Sequence, residues 1–189
     1  MKLQKLGLWQ KVLALGAAIG SALTGCVTGG SVTPEIGYNH NIPTKERLEF
    51  DSAVSYGVRG NVKIKNKVEI EAEARFHNTN YNDGFQESDA NVRDLSIGAV
   101  IPVWNNGKVE VYAVPKVISR NEESVSRIIG IPGSDTPYED NAIGYGLGAG
   151  ARFKAGKGKV DARLSYEEFG EGTYEKSGLN FSAGYTFEF

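Results

Sequence analysis

The chain is nearly without cysteine: Cys26 is its single thiol, so a disulfide within the chain is excluded. Histidine is almost as scarce. His40 and His77 are the only two, and with one thiol they make no Cys/His ligand set, so no metal and no cofactor is expected. A glycine-rich phosphate loop is missing as well, because Gly144, Gly146, Gly148 and Gly150 recur at every second residue, which is the period of a strand. Basic residues are not in excess. Lys and Arg number 21 against 23 Asp and Glu, and Lys2, Lys5 and Lys11 fall in the leader described below, so no nucleic-acid partner is expected. Outside the first 26 residues there is no apolar run long enough for a membrane-spanning helix. At 189 residues, 40% hydrophobic and 23% charged, the chain has the length of one domain and the average composition of a soluble one.

That average conceals a strict alternation. From Ser177 to Phe189, Leu179, Phe181, Ala183, Tyr185, Phe187 and Phe189 share one parity, while Gly178, Asn180, Ser182, Gly184, Thr186 and Glu188 share the other. Such a segment is a strand with an oily face and a polar face. The same pattern recurs upstream. Val68, Ile70, Ala72, Ala74 and Phe76 alternate with Glu69, Glu71, Glu73, Arg75 and His77, and a helix would scatter those glutamates around its circumference. Further strands are predicted over residues 34–42, 48–64, 94–103, 109–117, 143–154 and 160–167, making eight in all. Short turns at Lys65-Asn66-Lys67, Asn105-Asn106-Gly107 and Gly156-Lys157-Gly158 follow strands two, four and six; Asn-Gly is a strong hairpin signal. Longer connections follow strands one, three, five and seven, the largest being the polar stretch 78–92 and the loop 119–140.

Residues 1–25 read as a signal peptide, with the three lysines preceding an apolar run from Val12 to Leu23 that is too short for a permanent span. The leader ends in Leu23-Thr24-Gly25-Cys26, which resembles the lipobox of bacterial lipoproteins; that resemblance implies acylation of Cys26. The alternative is ordinary cleavage near Ala22 with Cys26 left as a free thiol. Residues 26–33, containing Gly29, Gly30 and Ser31, are expected to be the lipidated N-terminus and a short flexible tether, with the barrel domain over 34–189.

The polar parity carries Glu35, Asp51, Glu69, Glu71, Glu73, Asp94, Glu110, Asp161, Glu167 and Glu188 together with Arg59, Lys63, Arg75, Lys116, Arg152, Lys154 and Arg163. A soluble lipid-carrying barrel needs an apolar interior, so this composition argues against one. If the strands close, the oily parity faces lipid and the charged parity faces a lumen narrow enough for side chains to fill. The predicted fold is therefore all-β, an eight-stranded antiparallel up-and-down transmembrane barrel. Its lumen is expected to hold a plugged network of Arg59, Glu69, Glu71, Glu73, Arg75, Glu110, Arg152 and Arg163. The glycines of the sixth strand should make room for long side chains from the far wall, such as Arg59 or Arg75. A ligand tunnel is the alternative.

On strand count, the alternation of turn and loop, and the ending Tyr185, Phe187, Phe189, the chain resembles the small eight-stranded outer-membrane proteins, the OmpA transmembrane domain and the OmpX/Ail group. It departs from them in its lipobox. The resemblance implies bacterial outer-membrane location, loops outside and both termini periplasmic, contact with outer-membrane lipid and lipopolysaccharide, and recognition of the three C-terminal aromatics by the barrel-assembly machinery.

Two kinds of function are weighed. One is a non-enzymatic surface barrel whose loops serve envelope integrity or adhesion toward an unknown extracellular ligand. Its loops are acidic, and the apolar Ile128, Ile129 and Ile131 between charged flanks are a candidate contact patch. The other is a lipid hydrolase: His77-Asn78-Thr79-Asn80 is similar to the His-x-Ser-Asn stretch of the lipid A deacylase family, which implies His77 as base and Thr79 as nucleophile. Threonine in place of serine, an early strand and the inward parity of His77 all depart from that family. A narrow channel is a third reading, suggested only by the glycine-lined wall.

Overall fold

A computed structural model of the chain describes residues 27–42, 52–64, 68–82, 84–169 and 177–189. The leader, Cys26, and the sequence predictions that fall on Leu48, Phe50, Asp51 and the 65–67 turn lie outside the described residues. Eight strands follow in order: β1 (Val27–Ile42), β2 (Ala53–Ile64), β3 (Val68–Asn82), β4 (Gln86–Asn105), β5 (Val109–Ile128), β6 (Thr136–Ala155), β7 (Gly158–Phe169) and β8 (Ser177–Glu188). Each pairs antiparallel with its neighbour in sequence, and β1 pairs with β8, closing the barrel.

Closure follows from the alternation. A sheet that buries one parity and exposes the other must curl until the buried face is enclosed, and closing it removes the edge strands that lipid could not hydrogen-bond. The burial pattern obeys this rule with the reverse of a soluble protein's chemistry. Buried side chains include Glu71, Asp161, Arg59, Arg75 and Arg163, each at 2% exposure or less, whereas Ile97, Ile143, Leu147, Leu164 and Phe181 are each more than half exposed. Along β6 the outward apolar residues run from Ile143 to Phe153, which at about 3.3 Å per residue and a tilt of about 40° is a band about 25 Å high. That is the lipid-facing height of an outer-membrane barrel.

The two described short turns, β4–β5 and β6–β7, are where the sequence puts them. In the β4–β5 turn Gly107 has φ of 83°, a left-handed conformation that favours glycine. The amides of Lys108 and Val109 donate to Asn106 Oδ1 at 3.0 and 2.9 Å, so the asparagine closes the turn.

The fold differs from expectation in three places, one at the turn end and two at the opposite end. The tether expected over 27–33 is instead the first half of β1, laddered to β2 from Val27↔Ile64 onward. The polar stretch 78–92 is not a loop, since β3 continues to Asn82 and β4 starts at Gln86. Likewise most of 119–140 is strand, and only residues 129–135 connect β5 to β6. The ladders account for this: Asn78↔Asn91 through Asn82↔Glu87 and Arg120↔Ala142 through Ser126↔Thr136 keep their backbone partners after the apolar alternation has stopped. Among the described residues, the β3–β4, β4–β5 and β5–β6 ladders extend beyond Asn39↔Ala53 and Glu168↔Ser177, the last described pairs of the β1–β2 and β7–β8 ladders.

Candidate functional site

The inward parity builds three tiers of charge. Nearest the short turns, Arg152 lies 2.8 Å from Glu69, 2.9 Å from Asp161 and 3.6 Å from Glu110. Lys159 reaches Glu188 at 2.8 Å and Glu110 at 3.8 Å, and Lys63 reaches Glu69 and Glu188 at 3.6 and 3.7 Å. In the middle tier Arg163 meets Glu71 in a two-pronged contact, 2.6 Å at each prong, and Arg59 lies between Glu35 at 2.7 Å and Asp161 at 2.9 Å. The Tyr112 hydroxyl donates to Asp161 at 2.7 Å, and its ring lies beneath the Arg152 and Arg163 guanidinium groups.

In the upper tier Arg75 grips Glu167 through both terminal nitrogens, at 2.8 and 2.5 Å, and reaches Asp94 at 2.7 Å. Lys116 bridges Glu73 and Glu167 at 3.1 and 2.9 Å. Arg120 pairs with Asp94 through Nε and Nη2 and stacks over the Phe169 ring at 3.9 Å. Charges removed from water in this way are tolerated only because each finds opposite charge and hydrogen bonds. They fill a lumen of the width that eight strands allow.

All eight lumen residues expected from the sequence take part in this network. Two that the sequence reading missed are Arg120 and Lys159. Arg120 sits where β5 mixes its parities, since Val114 and Ile118 point inward and are fully buried while Ser119 and Asn121 face outward. Lys159 adjoins a turn, where parity is hard to start. The glycines of β6 serve nearer neighbours than expected. A side chain at Gly150 would collide with the Tyr112 ring, at Gly146 it would press on Lys116 and Ile118, and at Gly144 on Phe169, so the trough admits side chains of the adjoining β5 and β7 rather than Arg59 or Arg75.

His77 and Thr79 both lie on the inward face of β3, at 6% and 3% exposure. His77 Nδ1 has no hydrogen-bond partner among the described residues, and the ring borders a small opening at the barrel mouth with Asn39, Arg120, Glu167, Phe169 and Asn180. The pair is turned away from the lipid-facing surface. Among the described residues no group of three His, Cys, Asp or Glu could hold a metal ion.

At their tips the β3–β4 and β5–β6 hairpins join. The Ile129 amide donates to the Phe85 carbonyl at 2.9 Å, and Ile128 ladders with Gln86. Phe85, Ile128, Ile129 and Ile131 there are between 46% and 81% exposed, so the apolar loop residues do not pack down on the rim, and Phe85 joins them. Below them, outward ion pairs join Arg127 to Glu87 at 3.0 Å and Arg93 to Glu123 at 3.1 Å. The Glu87 carboxylate raises the Arg127 guanidinium further above its ordinary pKa.

Comparison with known proteins now decides the family. The outer membrane protein beta-barrel domain matches residues 12–187. The chain belongs to that family. No curated protein matches it in sequence. In structure it is similar to Neisserial surface protein A, at 15% identity and a TM-score of 0.57, with 85% of this chain and 97% of that one covered. It is similar to the attachment invasion locus protein Ail of Yersinia pestis, at 16% identity and a TM-score of 0.52, with 84% and 99% covered. A major outer membrane protein from Thermus thermophilus aligns at 12% identity and a TM-score of 0.61, with 84% and 99% covered. At such identities the likeness is one of fold, and with the family it places this eight-stranded barrel in the bacterial outer membrane. The apolar band and the charged lumen are the two solvents such a barrel must meet.

Proposed function

We propose that the chain is a non-enzymatic surface barrel, a rigid membrane scaffold with a plugged lumen that presents the joined tips of the β3–β4 and β5–β6 hairpins outside the cell, for envelope integrity or adhesion. In this reading the short turns and both termini lie in the periplasm, the barrel-assembly machinery reads Tyr185, Phe187 and Phe189 during biogenesis, and lipid and lipopolysaccharide surround the wall. The observation that carries it is the pairing of a lumen crossed by ion pairs with two long hairpins, β3–β4 and β5–β6, that end in exposed Phe85, Ile128, Ile129 and Ile131. A surface this apolar at the end of polar strands is what a contact site requires. An occluded lumen supports the same reading, because conduction would demand breaking charge pairs held in three tiers.

The test has two arms. Purified protein in planar bilayers is expected to show no steady conductance, and stable single-channel steps would favour the narrow-channel reading. Cells displaying the barrel with residues 84–86 and 129–133 replaced by Gly-Ser are expected to lose surface attachment or detergent resistance while keeping a heat-modifiable band. Retention of both properties would remove the hairpin tips from the function.

A further inference from the structure

Among the described residues every arginine and lysine has a carboxylate within ion-pair distance except three: Lys108, Lys154 and Lys157. They are not scattered. Lys108 is in the β4–β5 turn, Lys154 ends β6 and Lys157 is in the β6–β7 turn, and the Lys154 amide donates to the Lys108 carbonyl at 3.2 Å, which holds the two turns side by side. All three side chains are exposed. Two acids at this end, Glu110 on β5 and Glu188 on β8, are already engaged, Glu110 by Arg152 and Lys159 and Glu188 by Lys159 and Lys63. On the membrane side the same strands end in exposed apolar and aromatic residues: Val103 at 68%, Trp104 at 51% and Phe153 at 44%. At the opposite end the described outward cations, Arg93 and Arg127, are neutralised by Glu123 and by Glu87 with Asp89.

We infer that this corner of the turn end is a docking surface for the headgroups of anionic phospholipids. Three ammonium groups without counter-charge lie at the strand ends and turns just beyond an apolar and aromatic belt, the depth at which lipid phosphates sit, and long flexible lysine stems can reach such phosphates from there. Charge complementarity selects an anionic over a zwitterionic headgroup, and the adjoining Trp104 and Phe153 select a lipid over a soluble phosphate. On the orientation proposed above these are lipids of the inner leaflet; the binding itself does not depend on that orientation.

Trp104 is a built-in reporter, because Trp9 in the leader is the only other tryptophan. Full-length protein carrying Trp9→Phe, purified from outer membranes, would be placed in phosphatidylcholine vesicles containing equal mole fractions of either dibrominated phosphatidylglycerol or dibrominated phosphatidylcholine. Quenching of Trp104 is expected to be several-fold greater with the brominated anionic lipid, an enrichment of up to about five-fold per lysine before salt screening. The ratio should fall toward one in K108Q/K154Q/K157Q, whose three exposed positions leave the heat-modifiable band intact. Equal quenching by the two lipids in the parent would overturn the inference and leave a soluble acidic polymer as the counterpart of the lysines. A ratio unchanged in the triple variant would overturn the assignment to these residues. Loss of the ratio on adding inorganic phosphate at constant ionic strength would mean a free-phosphate site and would also sink it. Because this readout uses vesicles with phospholipid on both sides, it fails or succeeds independently of the surface-attachment assay.

Discussion

Arg75 on β3 and Glu167 on β7 meet across the lumen in a two-pronged contact, although 92 positions separate them in the sequence. Arg75 also holds Asp94, and Lys116 holds Glu167, so the contact ties β3, β4, β5 and β7 together. Arg75→Ala would leave Glu167 with Lys116 alone and Asp94 with Arg120 alone, and would strip a buried cation from between the two carboxylates. The expected loss is about 3–5 kcal/mol, the usual cost of removing one partner of a buried pair. Urea unfolding followed by the mobility shift on gels should show it. An unchanged midpoint would mean that water already screens the lumen.

Gly150 is the tightest of the β6 glycines against a ring. The Tyr112 hydroxyl that bonds Asp161 occupies the space a Cβ would need. Gly150→Ala should therefore displace Tyr112 and destabilise the barrel by about 1–3 kcal/mol. Combining it with Tyr112→Phe should cost less than the sum of the two single changes, because both act through the same hydrogen bond. Strict additivity in the double-mutant cycle would argue that the ring has another place to go.

The hairpin tips should behave in the opposite way. Phe85, Ile129 and Ile131 are exposed, so F85S/I129S/I131S is expected to shift stability by only about 0.5 kcal/mol per site. Attachment or envelope integrity should nevertheless fall several-fold. A large loss of stability would show instead that the tips pack against something in the folded barrel.

Phe189 is 81% exposed, yet its amide donates to the Gly30 carbonyl and its carbonyl accepts from the Gly30 amide, both at 3.0 Å. The backbone closes β8 onto β1 while the ring is left free for recognition. Phe189→Ala should lower the amount of assembled barrel in the outer membrane. The unfolding midpoint of what does assemble should move little, since the two backbone bonds survive. Equal yields from pulse-labelled cells would disqualify Phe189 as an assembly signal.

β1 starts at Val27, directly after Cys26 and at the turn end of the barrel. An acyl group on that thiol would then sit beside the wall rather than on a tether. Cys26→Ser is expected to leave the protein in the carbonate-resistant membrane fraction, because the apolar band alone spans the bilayer. Mass spectrometry of the parent's N-terminal peptide is expected to show the acyl chains. Release of the Ser variant by carbonate would mean that the anchor and not the barrel holds it.

Residues such as Glu69, Glu71 and Glu73 alternating with Ile70, Ala72 and Ala74 make the strands, their lumen face and their number legible in the sequence, since a two-residue period is a property of the local chain. Side-chain partners were not legible in the same way. That Arg75 meets Glu167, or Arg163 meets Glu71, depends on shear and closure, which bring together residues far apart in the chain. Arg120 escaped notice because inward Val114 and Ile118 blur the alternation on β5. The length of the β3–β6 strands escaped for a related reason: beyond the apolar band the outward face carries polar residues too, so Asn78, Asn80, Asn91 and Asn121 give no oily parity to mark a strand. Local chemistry determined which residues turn inward in the span between the two water layers. Only the closed ladder decided which charges pair, where the strands end and which hairpins reach each other, because backbone hydrogen bonds continue where the hydrophobic pattern stops.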